Sequence, residues 1–133
     1  MAEPSEIELE SALLQTSAPD CILAAVFEDE QPPLRIAGKL DWKSHGFISA
    51  LFKEKKLKGT KGELTLIPLA YFPNKIVKVL TVGFGTSHSQ LSPTDKKSLR
   101  DQIKHLKLKK VALSKSDFGS IDLGEEISIT WIV

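Results

Sequence analysis

Apolar positions in this chain come in short blocks separated by turn-forming residues. Ile76–Val82 is seven residues of mainly β-branched and aliphatic side chains, stopped by Gly83. A run so short and so apolar predicts a strand buried on both faces, the central strand of an α/β sheet. Cys21–Phe27 is apolar throughout and predicts a second interior strand. Glu63–Leu69 and Val111–Leu113 read as further strands, and the alternating, strongly β-forming Ile127–Val133 as a closing one. Glu6–Glu10 alternates acid with Ile7 and Leu9, the pattern of an edge strand with one wet face.

Between the strands the period changes. After the polar stretch Glu28–Pro33, Leu34–Leu57 predicts helix, interrupted near Gly38 and Asp41, with Asp41 able to cap a fresh N-terminus. Phe47, Ile48, Leu51 and Phe52 fall on one face of it. Ser92-Pro93-Thr94-Asp95 is a helix start with a capping serine, proline in the first turn and an acid near the helix N-terminus. Leu99, Ile103 and Leu106 supply that helix's buried stripe. Lys58–Gly62 reads as a loop, and Tyr71–Asn74 as the turn that makes hairpin neighbours of Glu63–Leu69 and Ile76–Val82. Interleaved strands and helices predict an α/β layered domain with a mixed sheet.

The length, 133 residues, suits one domain with its own core. Cys21 is the single cysteine, so no intramolecular disulfide forms and no cysteine-based zinc site can be assembled. A reducing, cytoplasmic setting is the expectation, because no apolar run spans a bilayer and the acidic opening lacks the pattern of a secretory signal. The net charge of +1 hides an asymmetry. All 18 Lys and Arg lie between Arg35 and Lys115 with only five acids, a surplus of 13, while the other 12 acids lie outside that stretch.

Four blocks then carry a resemblance: Asp20–Glu28, Leu40–Leu51, Leu57–Glu63 and Val79–Gly85. In order and spacing they resemble the N-terminal domain of leucyl (cytosol) aminopeptidases, over roughly Ser5 to Leu113. The resemblance implies a three-layer α/β/α sandwich with a mixed, mostly parallel sheet, similar to macro domains. In the family this domain precedes a catalytic domain holding two metal ions. Nothing here resembles that domain's metal-binding lysine, aspartate and glutamate. The expectation is therefore a non-catalytic assembly, regulatory or protein-interaction module with no cofactor. Its expected partners are further copies of itself or a full-length aminopeptidase, because the family's N-terminal domain contributes to hexamer assembly.

Two alternatives come from particular residues. Gly83, Phe84, Gly85 and Thr86 follow a strand and could cradle a phosphate in backbone amides, although the third glycine and the Lys-Ser/Thr ending of a P-loop are absent. With Asp20 they outline a macro-like site for a nucleotide or ADP-ribose. Ala24 and Phe27, however, stand where macro domains place asparagines, which leaves Asp20 a turn or capping role. Lys53, Lys55, Lys56, Lys58 and Lys61 form one basic cluster and Lys104, Lys107, Lys109 and Lys110 another. If the two meet in space they could bind nucleic acid weakly and salt-sensitively. His45, His88 and His105 lack the spacing of a zinc site. Cys21, inside an apolar strand, reads as an inert core thiol.

Overall fold

β1 (Cys21–Val26) is buried at every position, and its side chains divide by period two between two cores. Ile22, Ala24 and Val26 face one, Cys21, Leu23 and Ala25 the other. The computed structural model describes residues 20–30, 35–70, 76–86, 91–118, 121, 123 and 127–132. The expected Glu6–Glu10 strand, the Tyr71–Asn74 turn and His88 lie outside the described residues. The other elements are α1 (Arg35–Lys43), α2 (Phe47–Lys53), β2 (Leu64–Ala70), β3 (Ile76–Gly83), α3 (Pro93–His105), β4 (Lys110–Ser114), α4 (Lys115–Phe118) and β5 (Ser128–Ile132).

The sheet runs β2-β3-β1-β4-β5. β1 pairs in parallel with β3 and with β4, and β4 in parallel with β5. Among the described strands only β2 is antiparallel, joined to β3 as the expected hairpin neighbour with Thr65 opposite Thr81 and Ile67 opposite Val79. α1 and α2 cover one face through Ile36, Leu40, Ile48 and Phe52. α3 covers the other through Leu99 and Ile103. The result is a three-layer α/β/α sandwich with a mixed, mostly parallel sheet. Each fully buried Leu or Ile in these layers contributes roughly 1.5–3 kcal/mol of transfer free energy.

The helix expected from Leu34 to Leu57 does break, but at Ser44–Gly46 and not near Gly38. Gly38 sits inside α1. A mid-helix glycine costs about 1 kcal/mol, and burial of Ile36, Ala37 and Leu40 outweighs it. Asp41 does cap the second helix, and from the helix before it: its carboxylate accepts from Ser49 N at 2.7 Å and from Ser49 Oγ at 2.6 Å. At Ser92 the expected start of α3 is a full capping box with Asp95.

Among the described helices, α1, α2 and α3 end alike. Gly46 N donates to Asp41 O, Lys56 N to Leu51 O and Leu108 N to Ile103 O, each bond closing a Schellman turn. The left-handed position of that turn usually holds glycine. Here it holds His45, Lys55 and Lys107, at φ 59, 60 and 58°. A β-carbon in that conformation costs about 1–2 kcal/mol, partly offset by the lower backbone entropy of a non-glycine in the unfolded chain. Lys55→Gly and Lys107→Gly should therefore each raise stability by about 0.5–1 kcal/mol, read as a higher urea midpoint at unchanged m-value. Gly83→Ala should do the opposite, losing about 2 kcal/mol or more, because its β-carbon would be driven into Thr60 O.

Candidate functional site

Open α/β sheets place ligands beyond the carboxyl ends of their strands, where the chain turns to opposite sides. In this sheet that point lies between β1 and β3: the chain leaves β1 over one face toward β2 and β3, and leaves β3 over the other face, past β1, to β4. Phe27 follows β1, Phe84 follows β3, and Phe118 closes the α4 turn after β4. Their rings meet there: Phe27 and Phe84 lie 5.2 Å apart, Phe84 and Phe118 5.4 Å apart edge-on. All three are buried. The position where a ligand would enter is occupied by an aromatic cluster continuous with the core.

The glycine turn beside it is stitched into the fold by its own amides. Gly83 N donates to Glu63 O (2.7 Å), Phe84 N to Val26 O (3.0 Å) and Gly85 N to Gly59 O (2.9 Å), while Gly85 O accepts from Glu28 N (2.8 Å). A β-carbon on Gly59 would lie 2.7 Å from the Phe27 carbonyl carbon, and Gly85 has φ 89°. These glycines permit backbone to pack on backbone. The donors a phosphate would need from Gly83, Phe84 and Gly85 are thus engaged. Thr86 is exposed at the end of the turn.

Asp20 sits at the other end of the sheet. Val26, the last residue of β1, is level with Gly83, whereas Asp20 precedes the first, so the length of the strand, about 20 Å, separates them. Asp20 Oδ2 accepts from Lys109 N and Lys110 N at 3.0 and 3.1 Å, and Asp20 N donates to Lys110 O. Those two amides hold its carboxyl below the ordinary value of 3.8. This is a capping role, clipping β1 to β4. Asp20 and Gly83–Thr86 therefore do not form one site.

The same geometry separates the basic clusters. Lys53, Lys55, Lys56, Lys58 and Lys61 are exposed and lead from α2, on one face, to the carboxyl ends of the strands, where Lys61 reaches Gly85. Lys104, Lys107, Lys109 and Lys110 lie where α3, on the opposite face, returns to the start of β4. The clusters do not meet. Cys21 is buried and its thiol is pushed up to about 11 by burial, so it stays protonated. No group of three or more His, Cys, Asp or Glu among the described residues could hold a metal ion.

Two features had not been singled out from the sequence. Asp117 has a side chain only 2% exposed, 3.7 Å from Arg35 Nε; its Oδ2 has no hydrogen-bond partner. Arg35 also lies 3.8 Å from Glu30 and 4.8 Å above the Phe27 ring. Burial raises the Asp117 pKa, against the opposing pull of Arg35. The second feature is the corner between α1 and α2. Trp42 is 81% exposed; Phe47, which the sequence places on the apolar face with Ile48, Leu51 and Phe52, is 44% exposed while Ile48 and Phe52 are buried; and Asp41, Trp42, Lys43, His45 and Gly46 line an open depression of about 450 Å³. The signal for Trp42 was present: it lies three residues from Lys39, on the polar side of the α1 pattern.

The sequence model of the cytosol aminopeptidase family, N-terminal domain, matches residues 24–131. The chain belongs to the cytosol aminopeptidase family, by its N-terminal domain. No curated protein matches it at a significant level. Among solved structures, a mutant of tomato leucine aminopeptidase matches with TM-score 0.52 and 18% identity, over 86% of this chain and 29% of that one. The macrodomain of Mycobacterium tuberculosis DarG matches with TM-score 0.58 and 10% identity, over 98% of both chains. At these identities the likeness shows the fold alone, and that fold is macrodomain-like. This aminopeptidase N-terminal domain spans less than a third of the tomato enzyme chain. No helix among its described residues is long and apolar enough to cross a membrane.

The two perturbed aspartates should give opposite pH signatures. Asp20, with a depressed folded pKa, contributes stability that is present above pH 3.8 and lost as pH falls through the lowered value. Asp117, with a raised one, contributes stability that is full below pH 3.8 and lost as pH rises through the raised value. Urea midpoints measured from pH 3 to 8 should therefore place Asp20→Asn below the parent at neutral pH and Asp117→Asn above it. Both gaps should narrow as the pH falls toward 3. A parallel offset at every pH would contradict these assignments.

Proposed function

We propose that this domain is a non-catalytic interaction module that acts by binding a protein, either a full-length aminopeptidase or further copies of itself, in the cytoplasm. The observation that carries the reading is the exposed apolar corner of Trp42 and Phe47, set beside an open depression. Large aromatic side chains in such a setting are typical anchors of protein interfaces. Against a nucleotide reading stand the aromatic cluster at the strand ends and the engaged amides of Gly83–Gly85. Against a nucleic-acid reading stands the separation of the two lysine clusters, which denies a backbone the continuous basic track it needs.

Mixing the purified domain with a full-length leucine aminopeptidase should give a new species of summed mass by light scattering, or the domain alone should run above its monomer mass of 14.7 kDa. Unchanged masses of both components would refute the reading. Hydrolysis of leucine amide by the domain alone, with zinc or manganese supplied, should remain at background. Calorimetry with ADP-ribose should show no saturable heat.

A further inference from the structure

We propose that β2 is a self-pairing edge through which two copies of this chain join their sheets, an inference that rests on the self-association half of the reading above and names its surface. The direction of the strand's backbone groups carries it. Gly83 N donates to Glu63 O, so by the alternation of an antiparallel pair Thr65, Ile67 and Leu69 turn their amides and carbonyls toward β3. Leu64, Leu66, Pro68 and Ala70 turn theirs outward, and β2 ends the described sheet. Among the described residues none bonds to that outward row.

Edge strands are ordinarily kept apart by charge, by proline or by being short. β2 has seven residues, Leu64–Ala70, with no charged side chain among them. Its guard is Pro68, which removes an outward donor from the half nearer Ala70 and leaves the half nearer Leu64 intact. Leu66 stands 40% exposed in that unguarded half. The distribution of charge selects a second copy as the occupant. Between Arg35 and Lys115 the chain carries 18 Lys and Arg against five acids, so two copies repel over most approaches, whereas β2 brings no charge to meet its own image.

Pro68 also selects the register. A twofold axis at Thr65 sets Leu64 opposite Leu66 of the other copy, each such pair exchanges both of its backbone bonds, and none falls on Pro68. An axis at Ile67 would set Leu66 opposite Pro68 and leave the Leu66 carbonyl without a donor in each copy. In the favoured register the two Thr65 side chains lie directly opposite one another, and Leu66 is covered by Leu64 of the other copy. The arrangement is isologous and closes at two copies.

Sedimentation equilibrium of the full chain from about 10 to 500 μM should show the mass rising from 14.7 kDa toward twice that value, the weak association expected of a single pair of short strands. Hydrogen exchange over the same range should slow at the Leu64 and Leu66 amides and stay unchanged at Ala70. Leu66→Lys should weaken the dimer about tenfold or more while keeping the parent's unfolding midpoint, and Ala70→Lys, outside the paired half, should leave it as it is. A monomer mass at every concentration, growth beyond two copies, protection confined to β5, or a dimer indifferent to Leu66→Lys would each overturn the proposal. In the last two cases self-association itself survives, and a new species with a full-length aminopeptidase would sustain the interaction reading in the first.

Discussion

A strand whose six side chains are all buried has to be covered twice. Ile22, Ala24 and Val26 need one layer, and Cys21, Leu23 and Ala25 need another. That requirement places α1 and α2 on one side of β1 and α3 on the other. Its edges need cover as well, and β3 and β4 take one each in parallel register. Parallel neighbours in turn demand long crossovers, and the helices supply them. Among the described strands only β2, which returns directly beside β3, escapes the rule and runs antiparallel. Thr65 O accepts from Thr81 Oγ1 and Glu63 O from Gly83 N, so the odd-numbered residues of β2 face β3 in the ladder. Pro68 then falls where an amide would point away from β3, the position at which its missing N–H costs the sheet nothing.

The carboxyl ends of these strands show how a macrodomain-like frame can be closed by its own backbone. Successive amides beyond a strand make an anion nest only while they remain free. Here Gly59, Gly83 and Gly85 let two loops approach at van der Waals limits, and the amides of Gly83, Phe84 and Gly85 each find a carbonyl across the gap. Glu63 adds to the lock, its carboxylate accepting from Gly59 N at 2.8 Å and from Lys58 N at 3.2 Å. Phe27, Phe84 and Phe118 then fill the space that the sheet's topology would otherwise leave open. Likeness of fold to a macrodomain therefore carries no likeness of site.

Much of this frame was legible in local sequence. The blocks Cys21–Phe27 and Ile76–Val82 became β1 and β3 within a residue, and Ser92 with Asp95 became a capping box, because burial period and cap chemistry act over three or four residues. What was not legible depends on distance along the chain. Asp41 caps through Ser49, eight residues on, and a search for a cap adjacent to the helix start places the break too early. Helix ends at Lys55 and Lys107 carry no glycine to announce them, since the surrounding packing imposes the left-handed turn. Asp20 and Gly83 resemble parts of one site in sequence because both flank strands; only parallel pairing assigns them to opposite ends. The lysine clusters diverge for the same reason. Asp117 gave no signal at all, because its environment is made by Arg35 and Glu30 from another crossover.

With the amides of Gly83, Phe84 and Gly85 engaged, the helical layers still expose one large side chain, Trp42, that the packing of the described residues does not explain. An indole in water contributes nothing to the core, and tryptophan is a poorer helix former than the lysines around it. Its free energy is released only when something covers it. Burying 150–250 Å² of aromatic surface is worth about 4–6 kcal/mol, less than the rigid-body cost of association at the upper end of its range. A lone ring would thus bind weakly. What can tip the balance is a corner already ordered by Asp41 and Ser49, which reduces what is lost on contact.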